Sequence, residues 1–263
     1  MAGDQEKPSV IRWAGTAWRD TAVVIQQIPI VLTVGALIVI LVHVLAETLV
    51  LPKRTGIGFG RDLLVFILDS IEGFLLVPVA IAVHRFILLG ERTPSYRLNP
   101  AEPRFRRFFL FTVVIQIIFF IPGVAISLAE AVSGWVQPVV VVVMLLLGFY
   151  AVVIMLRTLI LFPAIAVDAA GAEWSNALRD TNGHAWRMFF MLVAAGVPII
   201  AMAVVSSWLW PDDPRMPGAV IASAGDAVLI TLVTVLYAAL ASRMFAALGE
   251  RLVGTHGDRL PHR

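Results

Sequence analysis

Five ionisable residues lie inside long apolar runs of this chain: His43, Glu47, Asp69, Glu72 and Asp226. His43 and Glu47 are spaced i, i+4 and Asp69 and Glu72 i, i+3, so each pair shares one face of a helix. A histidine among carboxylates can take up and release protons or attract cations, and such groups inside an apolar segment are functional candidates by default. Brought together, the five would form a water-filled, proton-titrating or cation-attracting cavity. Kept apart, they are helix-end groups wetted by a membrane surface, as Glu130 at the end of the third run also reads.

The rest of the chain offers little other chemistry. There is no cysteine, which excludes disulfides, thiol catalysis and cysteine-ligated metals. His84 and His184 stand near the ends of apolar runs and His256 and His262 in the tail, so no zinc-binding helix motif arises. "GIGFGRD" alternates glycines, but it lies between two apolar runs rather than between a strand and a helix, and reads as a turn. The serines have no evident His and Asp partners for nucleophilic catalysis. No enzymatic activity, no metal or other cofactor and no nucleic-acid partner is expected.

Of the 263 residues, 59 % are apolar and 14 % are charged, and the mean hydropathy is +0.89. Soluble domains do not have this composition. Six runs approach or exceed the ~20 residues that cross ~30 Å of hydrocarbon, at about 22–51, 63–89, 108–131, 136–163, 187–210 and 219–248. They are continuous rather than alternating, unlike the period-two strands of a barrel. The expected fold is all-α: a polytopic six-helix transmembrane bundle in a single domain, with residues 1–20 as an interfacial segment and 249–263 as a tail. Asp69 and Glu72 then sit ~9 and ~13 Å inside the second run, and Asp226 ~10 Å inside the sixth. The N-terminal "MAGDQEKPSVIRW" lacks the short apolar core and cleavage site of a signal peptide and is expected to be retained.

Basic residues are kept on the cytoplasmic face of a membrane. On six spans, sixteen of the 20 Lys and Arg fall on the side of the termini and four (Lys53, Arg54, Arg61, Arg215) on the other. Both termini are therefore expected in the cytoplasm and the acids in the outer half, although "PKRTGIGFGRD" places three basic residues together against the rule.

The runs pair into three hairpins with a recurring pattern. The odd runs open with "AWRDTAVVIQQIP", "FRRFFLFTVVIQIIFFIP" and "AWRMFFMLVAAGVP"; the even ones close with "VHRFILLGE", "MLRTLILFP" and "ASRMFAALGE", which carry Arg85, Arg157 and Arg243. Trp and Arg favour the membrane interface, so Trp18, Arg19, Arg106, Arg107, Trp186 and Arg187 read as interfacial anchors. Internal duplication and independent convergence on one depth rule both produce this pattern. Pro29, Pro78, Pro122, Pro163 and Pro198 each remove an intrahelical hydrogen bond and predict bent helices, which serve packing more often than they enclose a cavity.

Between the second and third runs, "ERTPSYRLNPAEPRFRRFF" is expected to run extended along the anionic cytoplasmic surface before "FRRFF" enters the interface as a helix. "PSVIRWAGTAWRD" and "GAEWSNALRDTNGHAWRMFF" each predict a short amphipathic surface helix; the second has Trp174, Ala177, Leu178 and Thr181 on one face and ends at "NG". Ala177, Leu178 and Arg179, then Gly183, then Trp186, Arg187 and Phe189, all preceded by "LFPAIAVDA", give a pattern that resembles the YciC-like bacterial six-helix inner-membrane proteins. It is similar also to the membrane domain associated with glycerophosphodiester phosphodiesterases. The resemblance implies a bacterial inner-membrane bundle but transfers no activity, because that family's catalytic residues belong to a soluble barrel of ~250 residues with no counterpart in this sequence.

The functional expectation is a non-enzymatic accessory or assembly protein of the bacterial inner membrane. Its expected partners are membrane lipids, anionic headgroups included, or a partner membrane protein. The alternative is a small transporter or channel built on an outer-facing acidic cavity.

Overall fold

The computed structural model describes residues 9–46, 59–129, 136–209 and 218–254. Among them every regular element is a helix: α1 (Val10–Gln27), α2 (Pro29–Leu45), α3 (Phe59–Leu89), α4 (Pro103–Ala129), α5 (Val136–Thr158), α6 (Leu161–Ala166), α7 (Trp174–Asp180), α8 (Ala185–Leu209), α9 (Gly218–Leu248) and α10 (Glu250–Val253). Five helices are long and apolar enough to cross a membrane, or six if α1 and α2 are taken as one span. The protein is an all-α bundle of multi-pass membrane type. Glu47 and Glu130, with Lys53, Arg54, Arg215, His256 and His262, lie outside the described residues.

The first apolar run is not one helix. α1 and α2 meet at 96°. A residue that precedes proline is pushed out of the helical region, and Ile28 takes φ −129° and ψ 48°. Pro29 then opens α2, at the position where its missing N–H is harmless. The corner keeps its hydrogen bonds: Ile28 N–H reaches the Val24 carbonyl at 3.0 Å and Leu32 N–H the Ile28 carbonyl at 3.3 Å. Residues 22–27, which hydropathy assigns to the first span, therefore belong to α1. That helix buries Ala14, Ala17, Thr21 and Val24 along one stripe and lies across α8 and α9.

The fourth run breaks for a related reason. A helix continued through Pro163 would leave the Leu159 carbonyl without its donor. The chain instead stops α5 at Thr158 and restarts as α6, with Pro163 in the first turn. α6 is almost wholly buried and packs against α3, α4 and α9. The expected 136–163 span is thus shorter, and its last residues turn under the bundle.

α9 forms the centre, in contact with α1, α2, α3, α6 and α8, and buries Leu236, Leu240, Met244 and Phe245. α2 and α3 pack tightly through Gly35, where a Cβ would stand 2.5 Å from Val79 Cγ2. Small residues at such crossings let helix backbones approach, which matters where lipid offers no hydrophobic drive between helices. α5 stands at the edge: only 11 % of its most apolar stretch is buried, against 17–28 % for the other four spans.

The connection 90–102, expected to lie flat on the membrane surface, folds back instead. Tyr96 Oη donates to the Leu75 carbonyl at 2.7 Å, a point ~21 Å along α3 from Leu89. Burial pushes the Tyr96 phenol pKa up. Leu75 lies three residues before Pro78. Ala195 lies three residues before Pro198, and its carbonyl accepts from Trp18 Nε1 at 3.0 Å. Proline loosens the helical ladder around it, and carbonyls freed in apolar surroundings need donors from neighbouring segments. Trp18, expected to anchor the chain at the membrane interface, spends its N–H on α8.

Candidate functional site

Gly35 faces Val79 and His43 faces Glu72, so α2 and α3 run antiparallel in one continuous register. His43 Nδ1 lies 2.9 Å from Glu72 Oε1, with the two side chains 19 % and 12 % exposed. Glu72 is ~20 Å along α3 from Arg85, deep in the span. Asp69, one turn away and exposed, interacts electrostatically with both His43 and Glu72.

Two uncharged residues missed in the sequence join this group. Ser70 Oγ lies 2.7 Å from the Phe66 carbonyl and 3.1 Å from Gln116 Oε1, and Gln116 Nε2 donates to the Asp69 carbonyl at 3.2 Å. Gln116 thereby ties α4 to the polar turn of α3. Its signal was a single amide inside "VVIQIIFF"; a reading keyed to charge passes over it.

Asp226 does not join them. It is exposed on α9, forms no hydrogen bond or ion pair among the described residues, and is not among the charges acting on Asp69. Of the five residues expected to converge, His43, Glu72 and Asp69 come together, and Glu47 lies outside the described residues. No group of three or more His, Asp and Glu among the described residues is arranged to hold a metal ion. What the arrangement offers is an imidazole nitrogen and a carboxylate oxygen in hydrogen-bond contact, between which a proton can be shared.

The arginines gather at the other end of the bundle, and several are engaged within the chain. Arg85 holds Glu91 through two bonds of 2.7 Å and donates to the Ala166 carbonyl at 3.1 Å. Arg104 grips Asp168, with Nε 3.0 and 3.1 Å from the two carboxylate oxygens. Arg107 donates to the Ala172 carbonyl at 2.8 Å, and Arg157 to the Leu178 carbonyl. Four arginines from α3, α4 and α5 thus clamp the 166–182 segment. Asp168 itself sits in the left-handed region, at φ 53°. Asp180 accepts the N–H groups of Arg251 and Leu252 at 3.0 and 3.1 Å, docking α10 on the same segment. Arg243 pairs with Asp20 of α1 at 2.6 and 2.8 Å.

The repeated arginines Arg85, Arg157 and Arg243 therefore tie elements together instead of reaching for headgroups, and Arg107 does the same. Arg19 and Arg106 are exposed. Trp186 is exposed and stacks near Phe190, with Phe149 and Phe189 around it.

His84, placed by sequence at the end of a run, is buried inside the bundle at 2 % exposure. Its Nδ1 lies 2.8 Å from Ser242 Oγ, and that hydroxyl donates to the Ala238 carbonyl at 2.8 Å. The serine proton is committed to the backbone, so the imidazole donates to the hydroxyl. The pair is an interhelical tie between α3 and α9, not a primed nucleophile.

Comparison of the chain with protein-family models, with curated proteins and with solved structures returned no match.

Proposed function

We propose that this protein is a non-enzymatic accessory or assembly factor of a bacterial inner membrane, with both termini cytoplasmic, that associates laterally with lipid and with a partner membrane protein. The observation that carries this reading is α5. It is the most apolar span, with a mean hydropathy of 3.1, and it presents Val142, Leu145, Leu146 and Phe149 outward. A helix with so much apolar surface uncovered by its own bundle is free to pack against another. The bacterial inner membrane in this reading is taken from the resemblance of residues 177–189 to YciC-like proteins.

The test is purification of the tagged chain in mild detergent. A second integral membrane protein should copurify, and Leu146→Trp, at a position 64 % exposed, should release it while the chain still folds. Recovery of this chain alone counts against the proposal.

A second reading, a small transporter or channel, is favoured by the His43 and Glu72 pair in the interior of the span. Proton or cation flux into proteoliposomes should then fall in Glu72→Gln. Equal flux in variant and wild type removes this reading.

A further inference from the structure

We propose that His43, Glu72 and Asp69 form one proton-binding site, in which Asp69 passes protons between the buried His43 and Glu72 pair and water at the end of the bundle remote from Arg85. This deepens the transporter reading by naming the ion and its point of entry. It rests on that reading only for the use to which the proton is put. The flux assay asks whether protons cross, and the titration below asks whether they bind, so either can fail alone.

Geometry selects the ion. The imidazole nitrogen and the carboxylate oxygen stand 2.9 Å apart, in hydrogen-bond contact, and nothing larger than a proton fits between them. With one shared proton the pair carries no net charge; its loss leaves a carboxylate, and a second proton leaves a cation, in apolar surroundings. A pair so placed changes its occupancy by exchange with a polar neighbour.

Asp69 is placed to be that neighbour. Counted along α3 from Arg85, Glu72 stands ~20 Å away and Asp69 ~24 Å, against ~30 Å of hydrocarbon. Asp69 is the nearer of the two to the far surface, and it is exposed where Glu72 is buried. It acts electrostatically with both members of the pair. The Gln116 amide, bonded to the Asp69 carbonyl and to Ser70, fixes this turn of α3 against α4. A proton taken from water by the Asp69 carboxylate passes, directly or through one water, to neutral His43 or ionised Glu72, and Asp69 returns to its charged form.

The surrounding elements bring no competing charge among the described residues. Arg61 and Asp62 stand two turns beyond Asp69 on α3 itself, and α4 contributes the Gln116 amide but no charge at this level. Tyr96, from the 90–102 connection, commits its proton to the Leu75 carbonyl. α6 has no titratable side chain. On α9, Asp226 does not act on Asp69, and Arg243 pairs with Asp20 of α1 at the opposite end.

Full-length protein in detergent is titrated across about pH 4 to 10, which brackets free carboxyl and imidazole groups. Infrared difference spectra follow the carboxyl band that Glu72→Gln removes, and NMR follows the imidazole that His43→Gln removes. Both signals should titrate with shared apparent midpoints, as coupled groups do; failure of either to change protonation in this range overturns the site. After a rapid pH jump, Asp69→Asn should slow the Glu72 band by ~10²-fold, the low end of what a positioned proton donor contributes. A purely structural role for Asp69 would move the midpoint and leave the rate. Asp69→Glu should restore the rate, and Asp226→Asn should respond as wild type does. Equal rates in wild type and Asp69→Asn overturn the entry role. Failure of Asp69→Glu to restore the rate, or equal slowing in Asp226→Asn, overturns it as well.

Discussion

Gly35→Ala should loosen the register that brings His43 to Glu72. The added Cβ would stand 2.5 Å from Val79 Cγ2, whereas ordinary contact begins at 3.4 Å, so about 0.9 Å must be found. Val79 cannot easily provide it, because a β-branched side chain in a helix has one strongly preferred rotamer. The helices must part, at a cost of ~1–3 kcal/mol typical of overpacking. The His43 and Glu72 pair lies ~12 Å further along α2 and ~10 Å back along α3, close enough to feel a change in spacing. Val79→Ala makes the missing room. A double-mutant cycle in detergent, read by reversible denaturant unfolding, should therefore return a coupling of at least ~1 kcal/mol between the two substitutions. Strict additivity would refute the contact and with it the register, and the cycle cancels the ~1 kcal/mol that alanine gains over glycine in any helix.

Other outcomes follow from single bonds. Asp168→Ala and Asp168→Gly both lose the grip of Arg104, but only alanine opposes the φ of 53°; the alanine variant should unfold ~1 kcal/mol more easily, and equal midpoints would show that the backbone is not held there. Tyr96→Phe removes the donor to the Leu75 carbonyl and should cost ~1 kcal/mol in the same unfolding assay. Faster amide exchange around Pro78 should accompany that loss. Trp18→Phe should cost a similar ~1 kcal/mol by freeing the Ala195 carbonyl, and its effect should add to that of Tyr96→Phe, since the two bonds join different segments.

Much of the architecture was readable from residues. Long continuous apolar runs must be helices in a membrane, because each backbone group there has to be satisfied within its own segment. "QIPI" and "LFPA" carried the information that a helix would bend, since proline acts on its neighbours through local sterics. Whether the helix continues through the proline, as α3 does at Pro78, or turns a corner, as at Ile28, depended on what lay beside it. The segment "WSNALRD" was legible as a helix from its spacing, but not as the piece that Arg157 would hold.

Chemical type was likewise visible and pairing was not. Sequence alone marked His43, Glu72 and Asp69 as charges out of place, and it marked Asp226 equally, because periodicity reports a face of one helix and nothing about the helix opposite. The tertiary structure decided that the first three meet while Asp226 stays apart. It also decided that the arginines of the even runs bind carbonyls and carboxylates of the same chain. A basic side chain at the end of a span can satisfy its charge with headgroups or with a neighbouring segment, and both look identical until the chain returns to the same end of the bundle. Composition and proline placement act locally and could be read in one dimension. The His43 and Glu72 pair and the arginine clamp each required residues distant in sequence to arrive together, which only packing determines.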